Sequence, residues 1–206
     1  MLELVATVIV ALITAVVGPV LIEFVKSKLE NNKKDEEDIV KNELEISCVI
    51  MDELEEIREK LNADRVWISV IHNGGHFLHS NKSIQKFSVM YETQKIGVSA
   101  IGMVFKNIPI SLFSRSVEQQ LKGNIIYIPN IDDPTVATYG LKSGMESVGT
   151  KATISKGLFE ITSDQLIGSI GVDYLSPKNL TKNEIDYFKL RGERMSGFIS
   201  TFIKTI

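Results

Sequence analysis

Three histidines, His72, His76 and His79, fall within eight residues of one another in the stretch VIHNGGHFLHSN, Val70 to Asn81, and they are all the histidines of the chain. Clustered imidazoles suggest a zinc site, since three or four nitrogen, sulfur or oxygen ligands hold that metal. Spacings of four and three residues would place all three rings on one face of a helix. Asn73-Gly74-Gly75 breaks a helix, so that geometry is lost. No HExxH pattern is present, and a carboxylate would have to come from elsewhere, Glu92 for example. A metal site on His72, His76 and His79, serving a metal-dependent enzyme, is therefore the alternative reading. The preferred one is a recognition loop. Asn-Gly favours positive φ and a sharp exit from a strand, which would turn His72 and Asn73 toward the mouth of a pocket, with His76 and His79 further along the loop.

Other residues with usable chemistry are weaker candidates. Lys86 could meet an anion at a pocket rim, or simply be a solvated lysine at the start of a strand. Tyr91 shares its alternation with Phe87 and Val89, which places it in the core with its hydroxyl at a cavity. Asp132 and Asp133, in NIDDP, offer paired carboxylates for acid–base work, but such a pair more often caps a following short helix. Asp173 is expected to face solvent or to pair across the sheet. Gly168-Ser169-Ile170-Gly171 is read as strand glycine rather than a phosphate cradle, because no helix follows it. No Ser-His-Asp order, Walker loop or G-x-G-x-x-G is present. No catalysis is expected, and the cofactor is unknown.

These residues must be positioned by the following elements. Arg65–Ile71 is β-branched and alternating, as is Lys86–Lys95, and the two read as antiparallel strands joined by a loop of about fourteen residues, a length usually reserved for function. Ile110–Lys122 reads as a short helix with Leu112, Phe113 and Val117 buried, stopped by Gly123. Ile125–Ile128 is a short strand, and Val136–Lys142 a short helix, with Gly140 and Gly144 in loops. Gly149–Thr162 and Leu166–Leu175 form a hairpin around Ser163-Asp164-Gln165. Thr181-x-x-Glu184 is a capping box, after which Ile185, Phe188, Met195, Ile199, Phe202 and Ile206 recur at helical spacing.

Upstream, Leu4–Ile22 is nineteen residues without a charge, long enough to span most of a ~30 Å hydrocarbon core. The segment lacks the basic n-region and small-x-small site of a cleaved signal peptide. Lys26, Lys28, Lys33 and Lys34 follow it, so the remainder should face the cytoplasm, from a single-pass anchor in the inner or plasma membrane. Glu30–Lys60 holds twelve acidic and five basic residues. Ile50, Leu54, Ile57 and Leu61 form a stripe there that Val40, Glu43 and Ser47 continue, so this connector is read as dimerising upstream, as a coiled coil, and docked downstream. Cys48 lies on it and is expected at a half-buried position. A net charge of −3 is no footprint of a nucleic-acid binder, and one cysteine allows no internal disulfide.

The order helix, strand, long loop, strand, small helices, strand, strand, helix resembles a GAF domain, from about Glu45 onward. "GNIIYIPNIDDP" (Gly123–Pro134) is similar to that family's strand and Asp-containing turn. "GMESVGTKATI", followed by "LIGSIGVDYLSPKNLTKNEIDYFKLRGERMSGFI", is similar to its final two strands and closing helix. The first half, with "IHNGGHFL" and "KSIQKFSVMYE", departs from the commonest pattern and resembles a membrane-anchored, phage-type branch. The implied fold class is α+β: an N-terminal transmembrane helix (1–25), a charged helical connector (26–62) and a GAF-like antiparallel sheet flanked by helices (63–206, its packing helix beginning near 45). The resemblance implies a sensory or regulatory module that binds a small molecule or a partner protein, as a homodimer. A ligand-free structural or adaptor protein is the remaining alternative. Cysteine-linked chromophores and cysteine-based sulfoxide reduction, known in parts of the family, are excluded because residues 63–206 contain no cysteine. With Ile206 on the closing helix, signalling is expected through a partner, the membrane helix or dimer geometry.

Overall fold

The structure is a computed structural model and describes residues 40–205. Residues Ile46 to Lys204 form one compact unit. The expected span at Leu4–Ile22 lies outside the described residues. No helix among the described residues is long and apolar enough to cross a membrane.

Helix α1 covers residues 40–60. Its stripe is buried as the spacing predicts, with Ile50, Leu54, Ile57 and Leu61 at most 1% exposed. Asn62, at φ 49°, turns the chain out of the helix. Strands β1 (Arg65–His76) and β2 (Ser83–Gln94) follow, then β3 (Ile108–Pro109) and a 3-10 turn (Ile110–Phe113). Helix α2 (Ser114–Leu121), β4 (Ile126–Ile128), α3 (Lys142–Ser147), β5 (Ala152–Phe159), β6 (Leu166–Tyr174) and α4 (Lys182–Thr205) complete the unit. The strands form one sheet in the order β3-β2-β1-β6-β5-β4, antiparallel throughout.

One face of this sheet carries the main core. Val66 and Ile68 of β1, Ile154 and Leu158 of β5, and Ile170 and Val172 of β6 pack there against α1 and against Phe188, Met195 and Ile199 of α4. Alternation along each strand sends these residues to the helical face and their neighbours to the other. The expected capping box starts α4. The Glu184 amide donates to Thr181 Oγ1 at 3.3 Å and the Thr181 amide to Glu184 Oε2 at 2.7 Å. This reciprocal pair satisfies two backbone donors that a helix start leaves open.

Several expectations are corrected. The fourteen-residue loop is mostly strand: β1 and β2 continue as a ribbon to the pair His76↔Ser83, and only residues 77–82 lie between them. Both glycines lie within β1: Gly75 takes positive φ, at 104°, and Gly74 leaves room for the Lys86 stem, since a Cβ there would come within 2.4 Å of Lys86 Cδ. Val136–Lys142 is not a helix; the helix begins where that segment ends, at Lys142, and contains Gly144. Gly144 admits the Phe113 ring, 3.4 Å from where a Cβ would sit. Cys48 is exposed rather than half-buried.

The alternation of β2 also breaks. Ile68 pairs with Tyr91 but Ser69 pairs with Val89, so Met90 is a bulge residue. Phe87 and Val89 consequently face away from the main helices, while Tyr91 faces them. Its hydroxyl lies 3.0 Å from Ser47 Oγ of α1, and its ring packs edge-on to Phe202 of α4.

Candidate functional site

The sheet face opposite α1 and α4 is covered by α2, α3 and the segment between β2 and β3, and a cavity of about 110 Å³ lies beneath them. Its walls are apolar. Phe87, Phe105 and Phe113 form an aromatic cluster with ring centroids 5.4 to 6.4 Å apart, and Trp67, Ile101 and Met145 add to the lining. Glu92 holds the covering segment in place: its carboxylate accepts from the Ile101 and Gly102 amides at 2.8 and 3.2 Å. Glu92, a possible metal carboxylate on sequence grounds, is thus engaged with backbone.

The floor is polar and small. Ser69 of β1, Ser169 of β6 and Gly157 of β5 stand in one cross-strand row, and Trp67, Gly171 and Ser155 in the next. Gly171 makes room for the indole, because a Cβ there would sit 2.2 Å from Trp67 Cζ2. Gly168 has a different reason: a Cβ would meet Ser69 O at 2.1 Å, so only glycine allows β1 this close. These two are strand glycines, as the sequence predicts.

Beside the floor lies a buried charge network. The Asp173 carboxylate accepts from Thr153 Oγ1 at 2.8 Å, Trp67 Nε1 at 3.1 Å and Arg65 Nη1 at 3.2 Å. Arg65 also donates to Ser99 O from Nε and Nη2, and to Thr150 Oγ1. Burial pushes the Asp173 carboxyl above its ordinary pKa, against the pull of its donors, Thr153 first among them. The expectation of pairing across the sheet therefore holds, and the solvent-facing alternative does not.

Helix α2 presents a partly polar face to this cavity. Ser116 and Gln120 are buried, while Leu121 at its end is 59% exposed and Leu112, in the preceding 3-10 turn, 67% exposed. The sequence-expected burial of Leu112 is corrected; Phe113 and Val117 do line the cavity. Gln120 Oε1 accepts from Ser169 Oγ at 2.7 Å. Among the described residues no hydrogen-bond partner meets Gln120 Nε2, Ser69 Oγ or Ser155 Oγ, although these residues are only 6%, 5% and 3% exposed. All three line the cavity. Among the described residues every buried side-chain nitrogen and oxygen has a hydrogen-bond partner, so these three unpartnered atoms reach the open space of the cavity, where water or a ligand can bond them.

The residues singled out from sequence lie elsewhere and do not form one site. His72 Nε2 is 2.9 Å from Ser88 Oγ. Asn73 Oδ1 accepts from the Gly75 amide and from Ser83 Oγ, closing the ribbon. His72 and Asn73 line a separate cleft of about 310 Å³ with Gln85, Glu160 and Ile203. His76 and His79 are exposed at the ribbon's end, beside exposed Phe77 and Leu78. Lys86 crosses Gly74, and Tyr91 sits on the helical face. Among the described residues no group of three His, Cys, Asp or Glu is placed to hold a metal. Asp132 pairs with Lys151, and Asp133 accepts from the Thr135 amide and hydroxyl in a turn rather than capping a helix.

No protein-family model and no curated protein matches the sequence. Solved structures do match by fold. A far-red cyanobacteriochrome photoreceptor aligns at TM-score 0.61 and 11% identity, over 86% of this chain and 98% of that one. The phycocyanobilin-bound GAF domain of a cyanobacterial phytochrome aligns at 0.61 and 16%, over 82% and 94%. The blue-light-absorbing form of the Thermosynechococcus elongatus PixJ GAF domain aligns at 0.58 and 19%, over 77% and 88%. At these identities the likeness is one of fold, and the fold is GAF-like.

Proposed function

We propose that this chain is a sensory or regulatory module that binds a small molecule in the cavity between the sheet and helices α2 and α3, and that it performs no catalysis. The polar residues that α2 turns into the cavity, Ser116 and Gln120, carry this reading. Gln120 is covered while Leu121 is exposed, against the usual partition of side chains, and the open hydrogen bonds this turns toward the cavity can be taken up by a bound molecule. The neighbours of like fold are photoreceptor domains, one of them described as holding phycocyanobilin, which supports a ligand on this fold. The cavity lining contains no histidine, so its serine hydroxyls have no imidazole base beside them.

The wider setting is proposed on sequence grounds. The uncharged segment Leu4–Ile22 tethers the module to the inner or plasma membrane, as in the phage-type branch it resembles, with the domain cytoplasmic. The connector pairs two chains as a homodimer, and occupancy is passed on through the helices or to a partner protein. Nucleic acid is not a partner.

Native mass spectrometry of the full chain, released from membranes in mild detergent, tests the binding reading. The expected result is a small-molecule adduct that a Ser155→Leu variant, its cavity filled, no longer carries. A wild-type chain without adduct, or an adduct retained by the folded variant, would overturn it.

A further inference from the structure

Taking the cavity as the binding site, as proposed above, we infer that its ligand is an uncharged single-ring molecule whose hydrogen-bond acceptor meets Gln120 Nε2. Charge is the first argument. No lysine, arginine or histidine lines the cavity, and its one ionisable lining group is Asp173. Both oxygens of that carboxylate are already bonded, to Thr153, Trp67 and Arg65. The Arg65 guanidinium is occupied by Ser99, Thr150 and Asp173. An anion entering here would find a carboxylate and no free cation. A cation would find a carboxylate that is already paired. Either would be buried without compensation.

Hydrogen bonding is the second. The Gln120 amide nitrogen donates and cannot accept, and it is the open group on a side chain only 6% exposed. A ligand atom that meets it there must be an acceptor, such as a carbonyl or ring nitrogen. The Ser69 and Ser155 hydroxyls rotate and can serve either role, so they tolerate a second polar atom on the same ring.

Shape and size are the third. The floor of serine and glycine is low, and the walls at Trp67, Phe87, Phe105 and Phe113 are aromatic, which suits a flat ring. A cavity of about 150 Å³ admits benzene, and this one, at about 110 Å³ and partly open, takes at most a single ring, part of which stands in its open mouth.

Three near-isosteric probes separate the alternatives: benzamide, benzoate and benzamidinium. Trp67 is the one tryptophan of the chain and lines the cavity, so its fluorescence reports occupancy in the full chain in detergent. Benzamide is expected to give a saturable change, with benzoate and benzamidinium about tenfold weaker or more. Gln120→Met, similar in volume, is expected to weaken benzamide about tenfold, and Ser155→Leu to abolish binding. Benzoate or benzamidinium binding as tightly as benzamide, with that binding lost in Ser155→Leu, overturns the uncharged class and leaves the cavity standing. Benzamide binding unchanged by Gln120→Met overturns the acceptor assignment. Binding that survives Ser155→Leu, or no binding by any of the three, overturns the cavity as the site. Ser69→Val replaces Ser155→Leu if the latter does not fold.

Discussion

Trp67 and Gly171 are cross-strand partners, and the indole of the first occupies the space a side chain on the second would fill. This placement lets Trp67 Nε1 reach Asp173 Oδ2 at 3.1 Å. Gly171→Ala is expected to push the indole off the sheet, break that bond and cost about 1–3 kcal/mol. The check is a lower urea midpoint together with a red-shifted fluorescence maximum. A maximum that stays in place, with unchanged stability, would show that the indole does not need the glycine.

The Arg65–Asp173 pair lies at the edge of the cavity, with side chains 1% and 7% exposed. Asp173→Asn keeps the shape but leaves a buried guanidinium without its counter-charge. The expected loss is about 3–5 kcal/mol, the cost of breaking a buried pair from one side. Replacing both residues by apolar ones, Arg65→Met with Asp173→Leu, should recover much of it, because no buried charge is then left alone. Equilibrium denaturation of Arg65→Met, Asp173→Leu and the double variant measures this directly. If the double variant is as unstable as the sum of the singles, the pair is not acting as a unit.

The bulge at Met90 assigns β2 residues to their faces. Met90 itself is 54% exposed, so Met90→Ala should change stability by no more than about 0.5 kcal/mol. Deleting Met90 should also be mild, because Val89 and Tyr91 then become consecutive ladder residues on opposite faces and keep their partners Ser69 and Ile68. Tyr91 and Thr93 would stay with Ser47 and Glu55 on α1. Thermal melts of the two variants check this, and a deletion that melts far below Met90→Ala would show that the extra residue is not what sets the faces of β2.

Much of the scaffold was legible because local signals agreed with the final packing. The stripe on α1, the capping box of α4 and the hairpin of β5 and β6 each follow from spacing or cap chemistry within a short window. The site was not legible in the same way. Ser69, Ser155 and Gln120 carry no sequence signal that sets them apart from the chain's other serines and glutamines, and in SRSVEQQL Val117 alone marks the face that turns toward the cavity. Only the three-dimensional cover of the sheet turns them inward. The histidine stretch misled for a related reason. Asn-Gly-Gly reads as a turn, yet pairing with β2 holds it in a ribbon. Tyr91 was placed on the wrong face by the one residue at Met90 that strict alternation cannot anticipate.

Glu55 ties α1 to β2 by accepting from Arg58 and from Thr93. The Arg58 hydrogen bond, then that of Thr93, lowers its pKa from 4.5 to about 2. The folded carboxyl thus holds its charge to lower pH than the unfolded one. Its contribution is full above about 4.5 and is lost as the pH falls toward 2, because the unfolded chain takes up the proton first. The side chain is 44% exposed, so screening limits the contribution to about 1 kcal/mol or less. Glu55→Gln should therefore be less stable than wild type at neutral pH, and the gap should close between pH 4.5 and 2. A gap that is constant across that range would assign the effect to packing.

Arg191 of α4 bridges two glutamates of α1, and the two bonds are expected to be unequal. It donates from Nη1 to Glu53 Oε2 at 2.9 Å and from Nη2 to Glu56, while its guanidinium lies 5.2 Å from the Tyr187 ring. The Glu53 side chain is 9% exposed and that of Glu56 is 56% exposed. The pair with Glu53 is shielded from solvent, whereas the pair with Glu56 is screened. Arg191→Ala leaves Glu53 with Arg194 as its remaining ion-pair partner and should cost about 2–3 kcal/mol, part of it lost contact with Tyr187. Glu56→Gln should cost under about 0.5 kcal/mol and lose even that in high salt. Urea titrations at low and high ionic strength make the comparison. Equal costs for the two variants would mean that burial does not set the strength of this contact between α1 and α4.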